Sequence, residues 1–341
     1  MRVMVTGGAG FIGSVVAAYL HRAGHQVVVY DNLSRSERSA VPAAAEFVEG
    51  DIAEQAKLEE VLRRRSIQAV MHCSAYMDMG ESMRMPETYF RNNTVCTLSL
   101  LEAMVRTGVT KLVFSSTAAV YGEQAITPIP ETAILKPNNS FGESILMVEL
   151  MLAWFHKSHQ MQYASLRYFN AAGAEGTCGE NHQPETHLIP LVLDVALGKR
   201  THVAIFGMDY PTPDGTCVRD YIHVSDVARA HVLALEKLTA HDKLIYNLGN
   251  GNGFSVLQVI QEARKITGHR IPCIPSARRA GDAAVLVASS EKIRLELGWK
   301  PVHTELSTII RHAWEYRSER QDPPPSVSDL YVSKSAFLHE Q

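Results

Sequence analysis

A glycine loop set between a strand and a helix is the feature that most constrains this chain. Gly7, Gly10 and Gly13 stand three residues apart, directly after a short apolar segment and at the start of a helical pattern. Glycine in this context permits a tight turn and a close approach of backbone N–H groups to a pyrophosphate, and the helix N-terminus adds partial positive charge. The loop therefore predicts a dinucleotide site.

An acidic residue after the second predicted strand supports this interpretation. Asp31 lies where a carboxylate can accept a hydrogen bond from an adenosine ribose. A carboxylate there disfavours the extra phosphate of NADP, so we expect NAD. Asp31 and Asn32 alone would be an ordinary turn at a strand end, but together with the glycine loop they favour cofactor binding. Asp51, after the third predicted strand, is a further contact for the adenine.

Strands and helices alternate through the first half of the chain, which predicts a Rossmann-type α/β fold, a doubly wound parallel sheet covered on both faces. Strands are predicted at residues 2–5, 26–30, 46–48, 69–72, 111–115 and 163–167, and helices at residues 11–23, 58–65, 94–107 and 141–157.

The amino-acid composition changes after about residue 170, where Pro, Gly and aromatic residues become more frequent. Helical patterns at residues 225–235 and 256–267 indicate a smaller mixed α/β lobe that carries the substrate site. We therefore expect a cofactor domain over residues 1–175, a substrate lobe over 176–320 with some interleaving, and a C-terminal tail over 321–341.

Composition excludes several classes of function. A net charge of −3 gives no basic field for nucleic acid. No segment has the length and apolar character of a signal peptide or a membrane span. Five scattered cysteines without a CxxC motif predict reduced thiols in the cytoplasm and no metal site.

Short motifs spread over most of the chain carry a further signal. They are DNLS at 31–34, GES at 80–82, NN at 92–93, SST at 115–117, VYG at 120–122, RYFN at 167–170, IFG at 205–207, YPTPDGTCVRDYIHV at 210–224, RR at 278–279 and GD at 281–282. Together they resemble the extended short-chain dehydrogenase/reductases, and within them the UDP-glucose (UDP-galactose) 4-epimerases. This resemblance implies an isomerase that binds NAD and a UDP-sugar, and a homodimer formed through two helices of each subunit.

The resemblance also implies roles for individual residues. Arg219 and Arg279 would neutralise a diphosphate, since a guanidinium fits two phosphate oxygens at once. Asp282 would accept from a ribose hydroxyl, and Asn170 would meet a diphosphate or sugar oxygen. Uracil would be bordered by Leu188, Ala204 and Phe206. The cofactor contacts implied in addition to the glycines, Asp31, Asn32 and Asp51 are Phe11, Ile12, Ile52, Cys73, Ser74, Ala75, Asn92, Ser115 and Tyr168.

The expected reacting centre departs from the family pattern. These epimerases use a Ser or Thr, a Tyr that takes a proton from the sugar, and a Lys four residues after the Tyr. Thr117 matches the hydroxyl, but the usual YGxSK string is FGESI, so that Phe141 stands for the Tyr and Ile145 for the Lys. Phenylalanine accepts no proton and isoleucine carries no charge, so the usual mechanism should be severely impaired. Met77 also replaces a Lys that usually lies near the cofactor phosphates.

Three interpretations follow from this departure. The first is an enzyme that uses replacement groups, for which the side chains expected near the nicotinamide are Thr117, Tyr76, Asp78, Tyr121 and His187. A second is a binding protein, or pseudoenzyme, that has lost turnover. The third, deliberate removal of the pair, is disfavoured because Met77, Ser140 and Glu143 also depart from the pattern. Retention of the cofactor and diphosphate residues favours the first.

Overall fold

The structure is a computed structural model that describes residues 1–182, 184–238, 243–279 and 281–320. The predicted C-terminal tail over residues 321–341 lies outside the described residues.

The first half of the chain alternates strands and helices as predicted. Its elements are β1 (Arg2–Thr6), α1 (Phe11–Arg22), β2 (Gln26–Asp31), β3 (Glu46–Glu49), α2 (Gln55–Arg64), β4 (Ala69–His72), α3 (Met79–Arg84), α4 (Pro86–Tyr89), α5 (Cys96–Thr107), β5 (Lys111–Thr117), α6 (Ser140–His159) and β6 (Gln162–Tyr168).

The second half adds shorter strands and further helices. These are β7 (Asn170–Ala172), β8 (Ala174–Glu175), β9 (Cys178–Gly179), α7 (Leu188–Ala196), β10 (Val203–Phe206), β11 (Val218–His223), α8 (Val224–Lys237), β12 (Lys243–Leu248), β13 (Gly253–Ser255), α9 (Val256–Thr267), β14 (Cys273–Ser276), β15 (Val285–Leu286), α10 (Glu291–Leu297) and α11 (Leu306–Glu319).

A seven-stranded parallel sheet forms the centre of the fold, in the order β12-β6-β5-β4-β1-β2-β3. The strand order reverses between β1 and β4, because the chain adds strands on one side of β1 and then on the other. Ligands of open parallel sheets bind in the crevice at this switch point, beyond the carboxyl ends of the strands. The predicted Rossmann-type fold is confirmed, and it places the glycine loop after β1 at that crevice.

A strand from the second half of the chain also belongs to this sheet. The segment from α8 to β12 lies after residue 176, yet β12 pairs with β6 and α8 packs against α1 in the same hydrophobic core. The prediction did not include β12. This return is a concrete case of interleaving between the expected lobes, whose bounds stay a prediction.

A second, smaller core supports the C-terminal lobe. Helices α7, α9 and α11 bury their apolar faces together with β10. Helix α9 begins at a capping box, in which the Ser255 hydroxyl accepts from the backbone N–H of Gln258 and the Gln258 side chain accepts from the backbone N–H of Ser255. Beside this core β11 pairs with β7, β13 and β15, and so carries Arg219 to the cleft side of the lobe.

One helix boundary differs from its prediction for a visible reason. The helix expected over residues 94–107 begins as α5 at Cys96, after a π-helical segment at Phe90–Val95. Wider π turns are frequent at functional sites. Here the segment turns the Asn93 side chain into the interior, where it contacts the loop that follows β4.

Candidate active site

The glycine loop leaves no room for larger side chains. A Cβ atom on Gly13 would lie 2.1 Å from the carbonyl oxygen of Gly7, and one on Gly7 would lie 2.7 Å from the backbone nitrogen of Ser74. In the described part of the chain, the first turn of α1 has no side-chain cap. Its N–H groups are thus available to an anion, and the loop fits a pyrophosphate.

Asp31 is held against this loop. Its Oδ2 accepts from the backbone N–H of Ala9 at 3.0 Å, and its Oδ1 accepts from the N–H of Leu33 and the hydroxyl of Ser36, both at 2.8 Å. Two carboxylate oxygens offer about four acceptor sites. Capacity therefore remains for a ribose hydroxyl, as expected from the sequence.

The loops after β2 and β3 meet beside the crevice. Asn32 donates to the Asp51 carboxylate at 2.8 Å, and the Tyr30 hydroxyl donates to the carbonyl of Asp51 at 3.0 Å. Ile52 is buried beside them. The structure thus brings Asn32, implied as a cofactor contact, together with Asp51, which the sequence predicts as a contact for the adenine.

Beyond β4 and β5 a group of small polar side chains lines the base of the crevice. The Ser115 hydroxyl donates to Cys73 Sγ at 3.3 Å and lies 3.0 Å from His231 Nε2. Burial raises the pKa of Cys73 to about 11, so this group remains a thiol at neutral pH. Tyr168 pairs in register with Thr117 at the end of the sheet, and burial raises the pKa of its phenol.

Asn93 is a positioning residue that the sequence analysis missed, although it follows the predicted contact Asn92. Its side chain accepts from the backbone N–H of Tyr76 at 2.8 Å and donates to the Tyr76 carbonyl at 2.9 Å. It also donates to the Ser144 hydroxyl at 3.0 Å, and Asn92 donates to it at 2.9 Å. The loop after β4, with Ser74 and Ala75, is thereby tied to α6.

The N-terminus of α6 is fixed against the turn that follows Thr117. Asn139 caps the helix by accepting from the N–H of Gly142 at 2.8 Å. A Cβ atom on Gly142 would lie 2.4 Å from the carbonyl oxygen of Ala119. Since Ala119 in turn donates to Thr117 Oγ1 at 3.2 Å, this close approach sets the first turn of α6 beside the Thr117 hydroxyl.

Phe141 and Ile145 lie one turn apart on this helix, and both are buried. Residues four apart share a helix face. The Phe141 ring meets Tyr89 edge to face, with ring centroids 6.4 Å apart. Both positions therefore carry apolar side chains within a packed environment.

An aromatic and charged cluster lies beside Phe141. The guanidinium of Arg35 lies 3.9 Å above the Tyr76 ring and donates to both Glu81 oxygens, at 3.0 and 2.9 Å. Tyr89 donates to Glu81 at 2.8 Å. Burial alone would raise the pKa of Glu81, but the bonds from Tyr89 and Arg35 lower it overall, so Glu81 is ionised. The GES string pointed to Glu81, whereas nothing in the sequence pointed to Arg35.

Asp78 and His187 approach the cleft from different parts of the chain. Asp78 caps α3 by accepting from the N–H of Glu81 at 2.6 Å. His187 precedes α7, and its Nδ1 contacts Glu180. Burial by itself would lower the pKa of His187, but the charges of Glu180, Glu185 and Asp78 raise it to about 9.

The expectation that Tyr121 could replace the usual base is corrected by the structure. Its ring is fully buried, its hydroxyl donates to Asn247 at 2.7 Å, and Arg167 donates to that hydroxyl at 2.9 Å. The same Arg167 forms a buried ion pair with Glu149. Tyr121 belongs to this structural network, because its hydroxyl has no access to a ligand.

The predicted substrate arginines lie in the C-terminal lobe. Arg219, on β11, is buried and lies 3.3 Å from Asp282. The structure thus excludes a solvated surface arginine at this position. Arg279 is exposed, and its guanidinium lies 3.9 Å above the Phe206 ring. Leu286 pairs in register with Arg219.

The remaining predicted substrate residues frame the same lobe. Ala204 lies on β10 two residues before Phe206, and Leu188 opens α7. Asn170 begins β7, whose register pairs it with Tyr221 on β11. All three are partly exposed, as a ligand contact requires.

Two further features of the described residues bear on function. None of the described helices combines the length and apolar character needed to cross a membrane. A cluster of Glu180, His182, Glu185 and His187 brings metal-ligand atoms together, which the scattered sequence pattern did not suggest.

Comparison with known proteins agrees with this fold. The NAD dependent epimerase/dehydratase family matches residues 3–249. A UDP-glucose 4-epimerase of Corynebacterium glutamicum is 50% identical over 322 residues, which cover 94% of this chain and 97% of the relative. The chain belongs to the NAD dependent epimerase/dehydratase family, and within it to the UDP-glucose 4-epimerases. The family resemblance inferred from the sequence motifs is therefore confirmed.

Solved structures of relatives superpose closely. A UDP-glucose 4-epimerase of Brucella ovis in complex with NAD is 45% identical, with a TM-score of 0.89 over 92% of this chain and 98% of the relative. One of Stenotrophomonas maltophila, with bound NAD and formylated UDP-arabinopyranose, is 41% identical, with a TM-score of 0.90 over 94% and 98%. NAD is the cofactor of this family, as the Asp31 argument expected.

Proposed function

We propose that this chain binds NAD and a UDP-sugar and acts as a 4-epimerase-type isomerase with a non-standard reacting centre. The observation that carries the proposal is that the glycine loop and Asp31 lie at the switch point of a protein whose second lobe presents the Arg219–Asp282 pair. NAD, when bound, supplies the hydride acceptor and donor chemistry of epimerisation. The chain's own residues supply binding, orientation and proton transfer.

The cofactor would be held by the glycine loop and the strand ends around it. Gly7, Gly10 and Gly13 allow the pyrophosphate to approach the first N–H groups of α1, and Asp31 offers an acceptor to the ribose. Arg35 is a positive group that lines this crevice, in a chain that has Met77 where the family resemblance implies Lys. Its bidentate pair with Glu81 and its stacking on Tyr76 hold it in place.

The UDP moiety would be held by the C-terminal lobe. Arg219 and Arg279 supply two guanidinium groups for the diphosphate, a geometry that suits phosphate oxygens. Phe206 stacks with Arg279 and, together with Ala204 and Leu188, offers an apolar border for uracil. Asp282 pairs with Arg219 and has further acceptor sites for a ribose hydroxyl, while Asn170 offers an amide to the diphosphate or sugar.

Proton transfer requires a group other than residues 141 and 145. Of the replacement groups expected from the sequence, Tyr121 is buried, Tyr76 lies under Arg35, and His187 contacts Glu180 through Nδ1. Asp78 is partly exposed. Among the described residues, its carboxylate accepts one hydrogen bond, from the backbone N–H of Glu81. We therefore assign proton acceptance to Asp78, with Thr117 orienting the sugar hydroxyl.

Substitution of Asp78 by Asn tests this assignment, because Asn still caps α3 but accepts no proton. General base catalysis contributes roughly 10²–10⁴-fold, so D78N should lose that much of the UDP-galactose to UDP-glucose conversion rate. UDP affinity should be unchanged. Glu143→Gln, which removes a carboxylate two residues from Phe141, is the matched control. Equal rates for D78N and the parent protein would remove Asp78 from the mechanism.

The alternative is a binding protein without turnover, which the two buried apolar side chains at positions 141 and 145 favour. The alternatives differ in one measurement. The NAD-loaded protein is mixed with UDP-glucose, UDP-galactose or their N-acetyl forms, and the reduced-nicotinamide absorbance and the sugar products are recorded. Reduction or C4 inversion supports the enzyme. Binding without either supports the pseudoenzyme, and failure to bind any UDP-sugar contradicts both.

A further inference from the structure

Four metal-ligand side chains converge between β9 and α7. Glu180, His182, Glu185 and His187 each bring one ligand atom to within 4.8 Å of the others. They span a segment in which residue 183 lies outside the described residues. The reacting centre proposed above uses none of them.

The distances within this cluster suit a small divalent ion. Nδ1 of His182 lies 3.2 Å from Glu180 Oε1, and Nδ1 of His187 lies 3.7 Å from Glu185 Oε1. Zinc–ligand bonds of about 2.0–2.2 Å place neighbouring tetrahedral ligands about 3.4 Å apart. The direct contact between His187 and Glu180 would open slightly to admit the ion.

A second observation at this cluster concerns the Glu185 carboxylate. Its side chain is 7% exposed, and its Oε1 accepts from the N–H groups of Thr186 and His187. Its Oε2 has no hydrogen-bond partner within the described part of the chain. Arg317 Nη1 lies 3.9 Å from that oxygen, as a long ion pair, and donates to the backbone carbonyl of Glu180 at 3.0 Å, while Arg317 Nη2 donates to Asp194 at 2.5 Å. A buried carboxylate oxygen without a hydrogen bond is costly, and a metal ion bound directly to it would satisfy it.

We infer that Glu180, His182, Glu185 and His187 form a binding site for one divalent transition-metal ion of the zinc type. Two imidazole nitrogens and two carboxylate oxygens match the ligand preference of this class. His182 also lines a cavity with Gly10 and Phe11 of the glycine loop. The ion would therefore tie the segment beside the glycine loop to the N-terminus of α7. This binding goes beyond the proposed function, because it requires neither NAD nor turnover.

Zinc titration of the full chain tests the inference. Protein treated with EDTA and dialysed is titrated calorimetrically with Zn²⁺, and the expected result is one ion per chain. Co²⁺ is then bound in its place, and tetrahedral ligand-field bands without thiolate charge-transfer absorption are expected. The second readout is needed because the chain also contains five free cysteines.

Two variants locate the site. Glu185→Gln keeps the side-chain shape and His182→Ala removes one imidazole, so each should weaken Zn²⁺ binding at least tenfold. The matched control is His269→Ala, an exposed histidine outside the cluster. Circular dichroism of the metal-free variants reports whether they fold. The inference is overturned by the absence of stoichiometric binding, by affinity that E185Q and H182A leave unchanged, or by thiolate bands in the Co²⁺ spectrum.

Discussion

The ring of Phe141 meets the ring of Tyr89 edge to face, with centroids 6.4 Å apart. Tyr89 in turn meets Tyr76, with centroids 6.1 Å apart, and donates to Glu81. The position expected to carry a catalytic phenol is therefore part of an aromatic cluster. This cluster continues to the Arg35 guanidinium above Tyr76.

Introducing the Tyr and Lys that the family resemblance implies at positions 141 and 145 tests whether only the reacting centre departs from that pattern. The double variant Phe141→Tyr with Ile145→Lys should raise the UDP-galactose 4-epimerase rate about 10²-fold or more, because it adds a phenol base and a cation one helical turn away. The rate is measured by product analysis after incubation with UDP-galactose. Phe141→Tyr alone is the control, since it lacks the cation that lowers the phenol pKa. A double variant that binds UDP but does not epimerise UDP-galactose would show that the sugar pocket itself differs from that of a UDP-galactose 4-epimerase.

Arg279 and Arg278 form a natural matched pair for testing the diphosphate site. Both guanidinium groups stack on aromatic rings, but Arg278 is also paired with Asp209 at 2.8 Å. Arg279→Ala should weaken UDP affinity by roughly tenfold or more, as expected for a charge-assisted hydrogen bond. Arg278→Ala should leave it within about twofold. Equal losses in calorimetric titrations with UDP would contradict the assignment of Arg279.

The free energy of unfolding should fall as the pH decreases from the pKa of His72 in the unfolded chain towards its lower pKa in the folded chain. Its two ring nitrogens lie 2.7 and 2.8 Å from the hydroxyls of Thr6 and Thr97, and burial lowers its pKa from 6.5 to about 4. Between pH 6.5 and about 4, His72 is therefore protonated in the unfolded chain and neutral in the folded chain. This contribution is fully present above pH 6.5 and is lost as pH falls, by up to about 3 kcal/mol.

Urea unfolding at several pH values measures this effect. Glutamine does not titrate in this range. In the His72→Gln variant, the slope of the unfolding free energy against pH should therefore correspond to fewer protons bound on unfolding, by up to about one. Exposed His269→Gln is the control for a general effect of losing a histidine. An unchanged slope in H72Q would mean that folding does not lower the pKa of His72.

The buried Glu149–Arg167 pair should be essential for stability. Arg167 donates from Nε to Glu149 at 2.9 Å, and the Ser116 hydroxyl donates to the same carboxylate at 2.6 Å. Glu149→Ala leaves the buried guanidinium uncompensated and should cost about 3–5 kcal/mol of unfolding free energy in urea. Glu60→Ala, which breaks an exposed pair with Arg64, should cost less than about 1 kcal/mol. Similar losses for the two variants would contradict the structural role of the pair.

We propose that α5 and α6 form the homodimer contact implied by the family resemblance. Leu98, Met147, Leu150 and Trp154 are large apolar side chains exposed on these two helices, and Trp154 is 64% exposed. Trp154→Glu should convert a dimer to a monomer in analytical ultracentrifugation. Ile134→Glu, at an equally exposed apolar residue away from these helices, should leave the dimer intact. A monomeric parent protein would refute the proposal.

Local sequence was sufficient for the six strands and the four longer helices of the first half, whereas the short helices α3 and α4 were not predicted. The strand expected at residues 69–72 coincides with β4, and the glycine loop lies after β1 as predicted. β12 was missed because a short apolar run does not reveal its partner, and its neighbour β6 lies far earlier in the chain. Tyr121 was misjudged for a related reason, since a motif does not show that a hydroxyl is enclosed by Asn247 and Arg167.

By itself the sequence determined the Rossmann-type sheet, the glycine loop, Asp31 and the family, because these depend on spacing within one turn or one strand–helix unit. The tertiary structure alone decided which distant side chains meet. Arg219 and Asp282 are 63 residues apart, and Arg35 and Glu81 are 46 apart. The Glu180–His187 cluster depends on how one loop folds onto the start of α7. Such contacts are set by strand register and helix packing, which no local pattern encodes.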